Sequence, residues 1–142
     1  FGPVAEAAQV LVGLGIGTVL ATLGPAGGVL VTGEGAWHAT APSVPVVSTV
    51  GAGDSSIAGY ILADVRGGGQ AECLRTAMAY GSAAANLPGT TLPTPRDLPA
   101  LAAAITPLAD RTSTGSRCAP PGHRRAYASI RKQEKEVAKE TL

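Results

Sequence analysis

The sequence predicts an α/β fold, on three observations. Short runs of branched apolar residues, such as Val29-Leu30-Val31, lie between glycine-rich turns. Other segments repeat apolar or small residues at helical spacing. Both kinds fall within the first 109 residues, before the composition changes. At 142 residues the chain is long enough for one domain with a substantial core. With one Phe and one Trp, that core must be built from Ala, Val, Leu and Gly.

Taken in order, a first helix is expected over about Pro3 to Val12, followed by a glycine-rich link. Strands are expected over Thr18 to Leu23 and Val29 to Thr32, as apolar segments covered on both faces. Gly33-Glu34-Gly35 reads as a hairpin turn into a third strand, Ala36 to Thr40. Pro42 and Pro45 then carry an extended connection, and a helix beginning near Asp54 places Ile57, Ala58, Ile61, Leu62 and Val65 at helical spacing. Gly67-Gly68-Gly69 ends it. A second long helix, Gln70 to Leu87, carries a stripe of Ala71, Leu74, Ala77, Met78, Gly81, Ala84 and Ala85. Such a stripe lets a neighbouring helix, or a flat ring, approach closely. Thr94-Pro95-Arg96-Asp97 has the form of a helix start, with a short helix ending before Pro107.

The stretch Val47-Ser48-Thr49-Val50-Gly51-Ala52-Gly53-Asp54-Ser55-Ser56 holds the chemistry. A turn without bulky side chains lets backbone N–H groups approach an anion, and the first turn of a helix leaves such donors unpaired. Gly51, Ala52 and Gly53 therefore read as a phosphate cradle. A carboxylate beside a phosphate repels it unless it has a task. For Asp54 two tasks fit: a general base for an attacking hydroxyl, or a carboxylate acting on a metal-bound phosphate. An ordinary helix start would also place an Asp in the first turn, where it favours the dipole.

Gly51-Ala52-Gly53-Asp54, within Ser48-Thr49-Val50-Gly-Ala-Gly-Asp-Ser, resembles the second signature of the ribokinase-like (PfkB) carbohydrate kinases. Thr22-Leu23-Gly24 followed by Gly27-Gly28 resembles that family's nucleotide-binding turn. Two motifs in the right order and distance make the likeness specific over roughly residues 1 to 106. Ser48 stands where the ribokinases proper usually carry Asp, which is similar to the phosphosugar branch, the 1-phosphofructokinases above all.

The resemblance implies the C-terminal half of a three-layer α/β/α sandwich, spanning residues 1–109. It implies phosphoryl transfer from ATP, with Mg2+, to a hydroxyl of fructose 1-phosphate, giving fructose 1,6-bisphosphate. Asp54 would be the catalytic base and contact the sugar hydroxyl. Gly51, Ala52 and Gly53 would form the anion hole, and Thr22, Gly24, Gly27, Thr49 and Asn86 the nucleotide site. The phosphosugar would be held mainly by an absent N-terminal half, since residues 1–109 hold no Lys and only Arg66, Arg75 and Arg96. Tagatose 6-phosphate, fructose 6-phosphate or ribose are alternative acceptors, and a non-catalytic nucleotide-binding piece is the alternative role. A homodimer of the full-length protein is a further implication. A chain opening on Phe1 reads as a piece of a longer protein, expected to be poorly stable and nearly inactive alone.

Other features point to fewer functions. The charge-free stretch 7–33 has the length of a membrane span, but Gly24-Pro25-Ala26-Gly27-Gly28 breaks it, and no membrane role is expected. Gly13, Gly15 and Gly17 follow a helix and lack dinucleotide-fingerprint spacing. Cys73 and Cys118 are too few for a metal pattern, and Cys73 reads as a small core residue in a cytoplasmic protein. His38 reads as a strand histidine without a catalytic task. The net charge of +1 is unevenly spread, with basic residues concentrated in 110–142. That segment has the composition of a linker and a charged helical or disordered tail unrelated to the kinases. It lacks aromatic interleaving, so no nucleic-acid partner is expected.

Overall fold

A computed structural model describes residues 1–98, 100, 108 and 109. Most of the expected helix between Thr94 and Pro107 falls outside these residues, and the tail 110–142 lies entirely outside them. Helix α1 (Gly2–Gly13) is followed by strands β1 (Thr18–Thr22), β2 (Gly28–Thr32) and β3 (Gly35–Ala39). Helices α2 (Ala52–Val65) and α3 (Gln70–Ala85) come next, and β4 (Leu108–Ala109) closes the described chain. The strands form one antiparallel sheet in the order β1-β2-β3-β4. The stretch 7–33 is divided among α1, β1 and β2, and among the described residues no helix is long and apolar enough to cross a membrane.

The period-2 alternation of the strands separates two layers of packing. Val29, Val31 and Ala36 point to one face, where they meet Ala8 with Val4, Ala5 and Val12 of α1. Leu30, Trp37 and Ala39 point to the other, where they meet Leu74, Ala77 and Met78 of α3. The register explains the sorting, because Leu30 pairs with Trp37 and Val31 with Ala36. All five residues of β2 are buried, as a strand covered on both faces must be. Burying Leu30 completely contributes about 2 kcal/mol. Phe1 stacks on His38 with ring centroids 4.6 Å apart, so the histidine has an aromatic partner on the α1 face. Cys73 is fully buried, as expected of a small core residue.

Helix α2 forms where the helical spacing predicts it, but it does not bury its largest side chains. Its apolar positions Ile57 and Ile61 are 52% and 44% exposed, while its buried residues are Ser55, Ser56, Gly59 and Ala63. The cause is the close approach of α3. A Cβ on Gly59 would lie 2.7 Å from the Thr76 carbonyl oxygen and 3.0 Å from Tyr80 Cβ. Only a small-residue face can enter so narrow a space, and the isoleucines turn outward in consequence.

The fourth expected helix start, at Thr94, opens on a 3-10 turn, Pro95–Asp97. The Thr94 N–H and hydroxyl both donate to Asp97 Oδ2, at 2.7 and 2.8 Å. These two hydrogen bonds hold the Asp97 carboxyl below its ordinary value, the backbone bond contributing most.

Candidate functional site

Leu23 leaves β1 and the chain folds back at once. The Leu23 N–H donates to the Gly27 carbonyl at 2.8 Å, and the Gly27 N–H donates to the Gly24 carbonyl at 3.0 Å. Gly27 has φ 101°, and a Cβ there would run into the Ala39 carbonyl oxygen and lie 2.7 Å from Thr40 Cα. Glycine is therefore required twice over, by conformation and by space. Gly28 lies under the tip of Met78, where a Cβ would be 2.8 Å from the sulfur.

The second turn precedes α2. Gly51 is its N-cap, with φ 79° in the left-handed region. The Val50 N–H donates to Ser48 Oγ at 3.3 Å, the Ala52 N–H to the Thr49 carbonyl at 3.3 Å, and the Ser55 N–H to the Gly51 carbonyl at 2.9 Å. Between them, the N–H groups of Gly53 and Asp54 find no acceptor among the described residues. A Cβ on Gly51 or on Gly53 would meet nothing within 4 Å. Free amides at a helix N-terminus can donate to an anion.

Both turns open onto one cleft of about 430 Å³. Thr22, Gly24 and Gly27 line it from the sheet side, and Thr49, Ala52 and Gly53 from the helix side. The six lie 27 residues apart in two motifs, counted from Thr22 to Thr49, yet share this cavity. Gly51 and Asp54 flank the helix-side wall without lining it. Asp54 is exposed in the first turn of α2, and its carboxylate makes no hydrogen bond among the described residues. It does not cap the helix, unlike Asp97 in its own turn. Asn86 is the C-cap of α3 and exposed, and does not line the cleft; Ser82 and Ala85 do so in its place.

Residues that sequence reasoning did not place here complete the walls. They are Pro25, the connection Ala41-Pro42-Ser43-Val44 with Val46, and Ser56 with Gly81 and Met78. The signal for the α3 residues was present in the small-residue stripe. For the connection the pattern offered only its prolines. All the lining residues are uncharged. Any anion in this cleft would meet amides, hydroxyls and the helix dipole, with no lysine or arginine in the wall. Among the described residues no three of His, Cys, Asp and Glu come together as a metal cage.

The profile of the pfkB family carbohydrate kinases matches residues 3–97, which covers both turns, α2, α3 and nearly all of α1. The chain belongs to the pfkB family of carbohydrate kinases. A 1-phosphofructokinase from Rhodobacter capsulatus is 44% identical over 103 residues, covering 72% of this chain and 33% of that protein. The crystal structure of phosphofructokinase-2 from Escherichia coli with substrates and products is 37% identical, with a TM-score of 0.66, over 70% of this chain and 33% of that one. Ribokinase from Thermotoga maritima is 25% identical, with a TM-score of 0.64, over 69% and 34%. This pfkB-family chain thus has part of the ribokinase fold and spans about a third of the length of the relatives it matches.

Proposed function

We propose that this chain supplies the nucleotide site and the general base of a sugar kinase that transfers the γ-phosphoryl group of ATP to a hydroxyl of fructose 1-phosphate. One observation carries the reading. Two turns far apart in sequence line a single uncharged cleft, and the free amide of Gly53 stands at the helix start on its wall, with that of Asp54 beside it. The name of the Rhodobacter relative, 1-phosphofructokinase, supports the choice of acceptor.

In this reading the Thr22–Gly27 turn holds the nucleotide, and its glycines let the ribose or phosphates pass against backbone. Thr49 Oγ1 is a further donor at the opposite wall. The amides of the Gly51–Asp54 turn stabilise the equatorial oxygens as negative charge grows on the transferred group, each donor being worth on the order of 3 kcal/mol. Asp54 takes the proton from the attacking hydroxyl; its exposure and its lack of a hydrogen-bond partner leave the carboxylate available. Magnesium, bound with the nucleotide, supplies charge neutralisation on the phosphates. A site offering hydroxyls, phosphate oxygens and one nearby carboxylate suits an ion that keeps most of its water.

The phosphate already on the acceptor needs a cation, and the cleft wall has none. Its anchor therefore belongs to the two thirds of the kinase that relatives carry outside the matched region. The same lack of a cation favours a second reading, a module that binds nucleotide without turning over sugar. Coupled assay of ATP-dependent phosphorylation of fructose 1-phosphate separates them. In the whole kinase, Asp54→Asn is expected to lower turnover by about 10²- to 10⁴-fold, with ATP affinity nearly unchanged. Near-normal turnover in that variant removes Asp54 from the role of base.

A further inference from the structure

The peptide that presents the Gly53 amide is held from behind. Ala52 C=O and Gly53 N–H belong to one planar unit, so whatever orients the carbonyl orients the amide. The Ser56 hydroxyl donates to the Ala52 carbonyl at 3.0 Å. A serine bonding back one helical turn is common in itself, but this one is 4% exposed and wedged against α3. A Cβ on Gly81 would run into Ser56 Oγ and lie 3.2 Å from the Ala52 oxygen. Ala52, Gly53, Ser56 and Gly81 all face the cleft.

We infer that Ser56 and Gly81 are positioning residues for the phosphate-binding turn. Gly81 leaves the space in which the Ser56 hydroxyl fixes the Ala52–Gly53 peptide plane, and that plane aims the Gly53 N–H into the cleft. The hydrogen bond accepted by the Ala52 carbonyl also polarises the unit and makes its N–H a stronger donor. Specificity for an anion in an uncharged wall then depends on a helix–helix contact behind it. The inference rests on the reading of the cleft as a phosphate site.

The test uses the full chain and two readouts, the Gly53 amide resonance and calorimetric titration with ATP–magnesium. Gly81→Ala is expected to move the resonance and weaken nucleotide binding by about tenfold, the loss of roughly one hydrogen bond. Ser56→Ala keeps the packing small. It is expected to move the same resonance and weaken binding about threefold, and it serves if Gly81→Ala does not fold. Combining the two removes the collision and is expected to return the resonance and affinity to those of Ser56→Ala alone. Gly59→Ala, crowded against the Thr76 carbonyl and Tyr80 but away from the cleft, should lower the melting temperature while leaving Gly53 and binding as in the wild type. Three results overturn the inference: an unmoved Gly53 resonance in both cleft variants, no recovery in the double variant, or an equal shift from Gly59→Ala. A wild-type chain that binds no ATP–magnesium overturns the functional reading instead, and the resonance arm still decides whether the contact holds the peptide.

Discussion

The sheet-side turn and the helix-side turn face one cleft, and each needs glycine for a different reason. At Gly27 the protein itself occupies the space that a side chain would take, with Ala39, Thr40 and Ala41 pressed against the α-carbon. At Gly51 the reason is the backbone angle alone, and at Gly53 neither crowding nor a positive φ demands glycine. A helical glycine with nothing near it costs stability relative to alanine and returns nothing to the fold. The space above Gly53 is where the proposed phosphate would sit. One turn is a fitted wall, and the other is a rim kept open.

Substitutions can break this contrast, beginning with the wall. Gly27→Ala adds overlap with backbone atoms to left-handed strain and is expected to destabilise by about 3–4 kcal/mol. Urea unfolding should show it as a lower midpoint, and an unchanged midpoint would mean that the wall is not fitted. Gly51→Ala meets no atoms and carries only the strain of φ 79°, so a smaller loss of about 1–2 kcal/mol is expected in the same measurement. Gly53→Ala should differ in sign. It is expected to stabilise the chain by about 0.5–1 kcal/mol while its methyl group weakens ATP–magnesium binding in a calorimetric titration. A gain in stability with no loss of binding would remove the ligand from the space above Gly53.

The two first-turn carboxylates sharpen the same contrast at the smallest scale. Asp97 is tied to Thr94, whereas the Asp54 carboxylate holds no hydrogen bond among the described residues. The Asp97 carboxyl is lowered from 3.8 in the folded chain, so the stability it contributes is present above that value. It is lost as pH falls through the lowered folded value. Asp97→Asn should therefore flatten a small part of the acid limb of the stability curve below about pH 4, read by circular dichroism at fixed temperature.

Much of this architecture was legible in the sequence because it rests on local patterns. The β2–β3 hairpin follows from Gly33-Glu34-Gly35 between alternating apolar runs, and α3 begins at Gln70 as its triple-glycine stop predicts. The two motifs pointed to six residues that do line one cleft. What was not legible depends on which faces meet. Ile57 and Ile61 advertise a buried stripe, yet α2 buries Ser56 and Gly59 because α3 comes too close for larger side chains. Ser56 has no distinguishing sequence signal, since the role inferred for it depends on Gly81 behind it. The Ala41–Val46 wall is irregular chain without periodicity, anchored by the Val47 and Ser48 amides donating to the Ala85 carbonyl. Asn86 was a near miss, one residue past the last part of α3 that reaches the cleft.

The central claim is that the open rim at Gly53 receives a phosphate while the wall at Gly27 receives the rest of the nucleotide. Diffraction from crystals grown with a non-hydrolysable ATP analogue and magnesium measures this directly. The account predicts a phosphate oxygen within hydrogen-bonding distance of the Gly53 nitrogen and the ribose or adenine against the Thr22–Gly27 turn. A nucleotide bound with its phosphates away from Gly53, or outside this cleft, would contradict it.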